Sequence, residues 1–156
     1  MLETRVIPCL LLRDGGLVKT VHFRNPRYLG DPINIIHIFN EKEVAELVIL
    51  DIAATPSGLG PRLPYLADLA SECFMPVAFG GGIADSKTAV SILALGIEKV
   101  VVNTQAVARP QLVTEIAQAA GSSSVVVSID IKRSLFGRYE VMTRGGTRRT
   151  GKAPVA

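Results

Sequence analysis

Apolar residues fall into short unbroken runs along this chain, not into the alternation of a sheet with one wet face. The runs are Arg5 to Leu10, Glu46 to Ile52, Pro76 to Phe79, Lys99 to Val102 and Ser124 to Ile129. Continuous runs of this length predict strands buried on both faces, as in a parallel sheet covered by helices. Between them the spacing becomes helical. Asp31-Pro32 opens a helix with Ile35, Ile36 and Phe39 on one side, and Ala84-Asp85 opens another through Val90, Ile92, Leu93 and Leu95 that stops at Gly96. Arg109-Pro110 opens a third through Leu112, Ile116 and Ala119 that stops at Gly121. An aspartate ahead of the first turn accepts from its free N–H groups, and proline fits there because its missing N–H would go unused.

Two segments depart from this rhythm. Residues 11–30 are too long for an ordinary connection and contain Asp14-Gly15-Gly16, a hairpin-like turn followed by Leu17 to Phe23. An extended loop that covers a site is expected there. A second hairpin is expected after the fifth strand, with Tyr139 to Thr143 running into Gly145-Gly146. An uninterrupted β-α series predicts a (β/α)8 TIM barrel, which typically takes about 250 residues. The expectation is therefore an incomplete barrel of about five strands, one domain over residues 1–156. An open doubly wound sheet also fits five strands, but no G-x-G-x-x-G follows the first of them.

At 48% hydrophobic and 20% charged, the composition is that of a globular α/β protein. The net charge of +3 owes much to Arg138, Arg144, Arg148 and Arg149. The one aromatic among these arginines is Tyr139, short of the repeated interleaving that single-strand binding favours, so a solvated basic loop is expected and nucleic acid is not. Cys9 and Cys73 lie in apolar stretches without C-x-x-C spacing and read as reduced, packed thiols. His22 and His37 have no third ligand at metal spacing, and no G-x-S-x-G occurs, so neither a metal nor a serine nucleophile is expected. No apolar run reaches the roughly 18 to 20 residues that span a bilayer; the expected compartment is the cytoplasm.

Chemistry in parallel β/α proteins collects at the carboxyl ends of the strands. Phe79-Gly80-Gly81-Gly82-Ile83 and Val102-Asn103-Thr104 end adjacent strands there. Either the glycines let backbone N–H groups and the following helix start hold a phosphate, or they make a tight turn and nothing more. Asp51 reads as a structural hydrogen-bonding carboxylate; for Asp130 a structural role and an acid/base role stand equally open. At the amino ends Arg5, Glu46 and Lys99 each open a strand, either solvated or joined as a salt-bridged layer.

Taken in order, Arg5-Val6-Ile7-Pro8-Cys9-Leu10, Gly30-Asp31-Pro32, Leu50-Asp51-Ile52, Gly80-Gly81-Gly82-Ile83, Lys99-Val100-Val101-Val102-Asn103-Thr104 and Ser128-Ile129-Asp130-Ile131-Lys132-Arg133 carry a resemblance. The chain resembles the amino-terminal portion of HisF, the cyclase subunit of imidazole glycerol phosphate synthase. Members of that family take ammonia from a HisH-like glutaminase, pass it through the barrel and use it to cleave and cyclise a ribonucleotide bearing two phosphates. The resemblance implies a catalytic role for Asp130, a phosphate site at Gly82, Asn103 and Thr104, and a substrate-contacting lysine at Lys19 on a mobile loop. It also implies an ammonia gate that includes Arg5, Glu46 and Lys99, no cofactor and no metal.

Leu11 stands where the family has its other catalytic aspartate. Leucine can neither donate nor accept a proton, and general acid-base help is typically worth about 10² to 10⁴ in rate. A kept gate with a lost acid is similar to HisF-like paralogs of bacterial surface polysaccharide (O-antigen) clusters. Those are thought to supply glutaminase-derived ammonia to a separate sugar amidotransferase. That conduit role is the expected function; the alternatives are a histidine-pathway lyase/cyclase and a truncated product inactive alone. A barrel stopped after strand five would also leave strands one and five as unpaired edges.

Overall fold

The computed structural model describes residues 4–134 and 137–155. In chain order the elements begin β1 (Cys9–Arg13), β2 (Gly16–Val21), β3 (Arg24–Gly30), α1 (Pro32–Glu41) and β4 (Leu47–Asp51). They continue α2 (Ala54–Ser57), α3 (Leu63–Ser71), β5 (Val77–Gly80), α4 (Ser86–Leu93), β6 (Lys99–Val102), α5 (Thr104–Ala108) and α6 (Gln111–Ala120). Last come β7 (Val125–Val127), β8 (Asp130–Arg133), β9 (Tyr139–Thr143) and β10 (Arg148–Arg149). One sheet has the order β3-β2-β1-β4-β5-β6-β7 and a second has β10-β9-β8. The strands β1, β4, β5, β6 and β7 are parallel and follow one another in chain order. A doubly wound sheet reverses its order at a switch point; this sheet does not. Its winding is consistent with a TIM-barrel family.

The register separates the two faces of the parallel sheet. Ile49, Phe79, Val100 and Val125 are Cα partners across β4 to β7, with Leu10 opposite Ile49 on β1. Ile49, Phe79 and Val100 are buried in one core with Ile36, Leu66, Leu69, Ile92, Leu112 and Ile116 of the helices. One residue along, the row Leu11, Leu50, Gly80, Val101 and Val126 turns to the other face, where Leu11 and Leu50 are half-buried and Val126 is exposed. Gly80 and Val101 of that row are buried, so the expectation of strands buried on both faces holds along the helix-covered face and at β5 and β6 on the other, and fails toward its edges. Burial against helices needs only the row that points at them.

Local chemistry sets the helix starts as expected. Asp31 Oδ1 accepts from the N–H groups of Ile33 and Asn34 at the start of α1, and Asp85 Oδ1 accepts from Thr88 N ahead of α4. Gly121 closes α6 at φ 93°.

The first strand differs from its sequence reading. Arg5 to Pro8 lie outside any ladder, and β1 extends past Leu11 to Arg13 because β2 pairs with it antiparallel. The edge expected beside strand one is thus covered, and the outer strands of the sheet are β3 and β7. Asp14 and Gly15 in the β1–β2 turn both have positive φ, as do His22 and Phe23 in the β2–β3 turn. This is the backbone that lets a two-residue turn match strand twist. The segment expected as an extended loop is therefore a three-stranded meander. At the other end, β7 stops at Val127 and Asp130 opens β8 in the second sheet, so Asp130 does not end the fifth parallel strand.

Candidate functional site at the carboxyl ends of the strands

The two ends of the parallel sheet carry different chemistry. At the amino end the structure brings Arg5, Glu46 and Lys99 together. Glu46 accepts a hydrogen bond from Lys99 Nζ, with Arg5 Nη1 3.7 Å from its carboxylate and Glu98 2.8 Å from Lys99 Nζ. The Lys99 hydrogen bond holds the Glu46 carboxyl below the usual carboxylate range, and the same bond raises the Lys99 ammonium. The three charges form a joined layer, although only Lys99 opens a strand: Glu46 lies just before β4 and Arg5 ahead of β1.

At the carboxyl end lies a crevice of about 1120 Å³. Its floor is set by close backbone approach. Gly81 has φ +127° and a Cβ there would run into the Asp51 carbonyl, while a Cβ on Gly82, at φ +68°, would lie 2.9 Å from Gly60 Cα. The Gly82 N–H donates to Thr55 Oγ1 at 3.2 Å. Asp51 Oδ1 accepts from Ala53 N and Ala54 N at 2.9 and 3.0 Å, the structural role expected of it. Asp85 already occupies the first turn of α4, so the helix start after the glycines is capped by a carboxylate and offers an anion less than the sequence suggests.

Asn103 and Thr104 line the same crevice as Gly82. Asn103 Nδ2 donates to Ser128 O at 3.0 Å, and Thr104 Oγ1 donates to Asn103 Oδ1 at 3.4 Å and accepts from Arg144 N at 3.0 Å. Leu11 and Asp130 are also on the lining. Burial pushes the Asp130 carboxyl above its ordinary range, and a hydrogen bond from Asn103 opposes that shift. Lys19 is not on the lining. It sits on β2 opposite Arg27 with its side chain exposed, and Arg13, Asp14, Thr20 and Phe23 of the meander face the crevice instead.

Other contacts were not legible in the sequence. Tyr65 Oη donates to Gly15 O at 2.8 Å, with the Arg62 guanidinium 4.7 Å from the Tyr65 ring centroid. Together they tie the β1–β2 turn to α3, a helix the apolar spacing did not mark. Thr55 and Arg144 reach the site only through tertiary packing. The thiols differ from each other. Cys73 is half-buried and donates to Leu69 O, its pKa raised to about 11 chiefly by desolvation. Cys9 is exposed, against the expectation of a packed thiol, because it faces away from the helices.

Comparison with known proteins decides the family. The model of the family described as "Histidine biosynthesis protein" matches residues 5–156. The chain belongs to the histidine biosynthesis protein family. It is 50% identical over 155 residues, 99% of this chain and 62% of the relative, to a provisionally named imidazole glycerol phosphate synthase subunit hisF2 of Pseudomonas aeruginosa. It is 48% identical over 153 residues, 97% of this chain and 60% of the relative, to a provisionally named HisF subunit of Leptospira borgpetersenii. A Vibrio vulnificus relative provisionally named as subunit hisF3 is 45% identical over 150 residues, 96% of this chain and 58% of the relative. The chain thus spans 58% to 62% of the length of these relatives.

The resemblance read from the motifs is therefore a HisF-like membership of this histidine biosynthesis family. Among the described residues, no cluster of three or more His, Cys, Asp or Glu could hold a metal. No described helix is long and apolar enough to cross a membrane.

Proposed function

We propose that these 156 residues are a single domain, the first five strands of a HisF-like barrel. Its task is to receive glutaminase-derived ammonia at the Arg5–Glu46–Lys99 end and deliver it, in the cytoplasm, to a sugar amidotransferase of surface polysaccharide synthesis. The observation that carries the reading is the pair Leu11 and Asp130 on one crevice. Asp130 has the environment of an acid/base group, a half-buried carboxyl raised by desolvation, whereas Leu11 offers neither a proton nor a lone pair. Ring closure asks for one group to give a proton and another to take one. Of the two positions that the resemblance gives to a cyclase's acids only Asp130 carries one; among the crevice's other carboxylates, Asp51 and Asp85 are engaged by backbone N–H groups.

The second reading, a lyase/cyclase forming imidazole glycerol phosphate, is favoured by the relatives' printed names and by the grouping of Gly82, Asn103 and Thr104 on the crevice. An inactive product is the third. Fusion to a family-typical carboxyl-terminal half separates them. With free ammonia, the fused parent is expected to cyclise negligibly, and Leu11→Asp to raise that rate by about 10² or more. A fused parent with the rate of an ordinary synthase overturns the conduit reading. If the parent fails to transmit glutaminase-derived ammonia to the amidotransferase, and Leu11→Asp fails to restore cyclisation, the inactive-product reading stands.

A further inference from the structure

The segment between β4 and α3 lies directly against the glycine run. Asp51 Oδ1 starts it by accepting from Ala53 N and Ala54 N, and it continues past α2 through Gly58 and Gly60, both at φ +70°. A Cβ on Gly82 would lie 2.9 Å from both Ala54 Cβ and Gly60 Cα, so packing against the chain itself already requires glycine there. Thr55 Oγ1, from the same segment, accepts from Gly82 N at 3.2 Å, and both residues line the crevice. We propose that Thr55 is a specificity-determining residue of this crevice: its hydroxyl holds the Gly82 N–H in the place of an anion's oxygen and so shuts the crevice to free phosphate. The proposal rests on the reading of Gly82, Asn103 and Thr104 as a phosphate site.

Gly82 has no side chain, so its backbone N–H is all that it can offer an anion. The other donors of that site are engaged as well. Asn103 Nδ2 donates to Ser128 O, and Thr104 Oγ1 donates to Asn103 Oδ1 while it accepts from Arg144 N. Beyond the glycines, the first turn of α4 is held by the Asp85 carboxylate. A phosphate oxygen must therefore displace a protein partner at each donor, and one hydrogen bond exchanged for another gains little.

These partners are not equally fixed. Ser128 O is a backbone carbonyl just past β7, and Asp85 is the cap of an eight-residue helix. Thr55 instead stands on the four-residue α2, and the residues that follow it, Pro56 to Leu59, are exposed. It is the partner that a ligand can move at least cost to the sheet. The crevice thus favours a phosphorylated ligand that brings further contacts over the bare ion, which has none with which to offset the lost bond.

The test is an amide NMR titration of the full chain with inorganic phosphate at constant ionic strength, on the parent, Thr55→Ala and Thr55→Ser. Removing the hydroxyl is expected to tighten phosphate about tenfold, read as coincident shifts at Gly81, Gly82 and Thr104, while Thr55→Ser, which keeps it, stays within about twofold of the parent. Without phosphate, hydrogen exchange at the Gly82 amide is expected to quicken in Thr55→Ala and not in Thr55→Ser. Equal affinity in the parent and Thr55→Ala overturns the lock and leaves the phosphate site standing. If Gly82 exchange quickens in Thr55→Ala and yet neither protein answers to tens of millimolar phosphate, the phosphate reading itself fails, and the proposal with it. Should Thr55→Ala unfold the chain, the Thr55 methyl signal of the parent decides: it is expected to move with the same midpoint as Gly82, and a methyl indifferent to phosphate while Gly82 responds means that Thr55 locks nothing.

Discussion

Glu46 immediately precedes β4 and Asp130 opens β8 just past the end of β7, so the two carboxylates stand beyond opposite ends of one parallel sheet. Their surroundings push them in opposite directions. The Lys99 hydrogen bond keeps Glu46 ionised below the usual range, while desolvation drives Asp130 toward its neutral form. At the amino end, among the described residues, Arg5, Lys99, Glu46 and Glu98 answer each other. At the carboxyl end a carboxyl is kept half out of water with only the Asn103 amide to offset the cost. The amino end pairs its charges, whereas the carboxyl end holds a carboxyl whose burial favours the neutral form.

The sharpest way to break this contrast is at Gly81. A side chain there must adopt φ +127° against the Asp51 carbonyl. Gly81→Ala is expected to cost about 1–3 kcal/mol of stability and to abolish any phosphate-induced shift at Gly82, read by urea denaturation and by NMR. If the variant is as stable as the parent and still responds to phosphate, the carboxyl end is not built around that close approach.

A smaller effect is expected at the amino end. Lys99→Ala removes the hydrogen bond and the nearest charge from Glu46, yet the cluster is partly open to water, so the loss should be about 1 kcal/mol or less. Its pH dependence has a definite sign. Glu46 is lowered in the folded state, so its contribution is present above the ordinary glutamate value of about 4.3 and is lost as pH falls through the folded value. Lys99 is raised, so its contribution is present below about 10.4 and is lost as pH rises through the folded value. Denaturation of parent and variant should converge at both extremes. A constant difference across pH would mean that Lys99 acts through packing and not charge.

How much of this was legible in the sequence depends on how local the cause is. Asp31 and Asp85 cap helices through bonds to residues two or three positions on, and both were readable. The β4, β5 and β6 runs were readable because apolar continuity is itself local. The β2–β3 turn was not, since His22 and Phe23 adopt positive φ without a glycine to announce it. The grouping of Arg5, Glu46 and Lys99 was visible as three strand starts, but their joining required the parallel register. Arg144 illustrates the limit: the Gly145-Gly146 turn was visible, while its bond to Thr104, 40 residues earlier, belongs to tertiary structure.

The finest prediction concerns Asp130 itself. Its folded-state pKa is raised by burial, so near the unfolded value of about 3.9 the native state holds its proton more tightly than the unfolded chain. As pH rises through the folded value, both states ionise, and the native state is left with a carboxylate short of water. The contribution of Asp130 to stability is therefore present at low pH and declines toward neutrality, the reverse of Glu46. Asp130→Asn removes the titration while keeping the shape. The stability of Asp130→Asn relative to the parent should rise with pH across this interval, whereas that of Glu46→Gln should fall over the acid range. Urea denaturation of the three proteins at several pH values reads both slopes. If the Asp130→Asn difference is flat with pH, Asp130 titrates as an ordinary surface carboxylate. The two ends of the sheet would then no longer differ, and Asp130 would have no special fitness to move a proton.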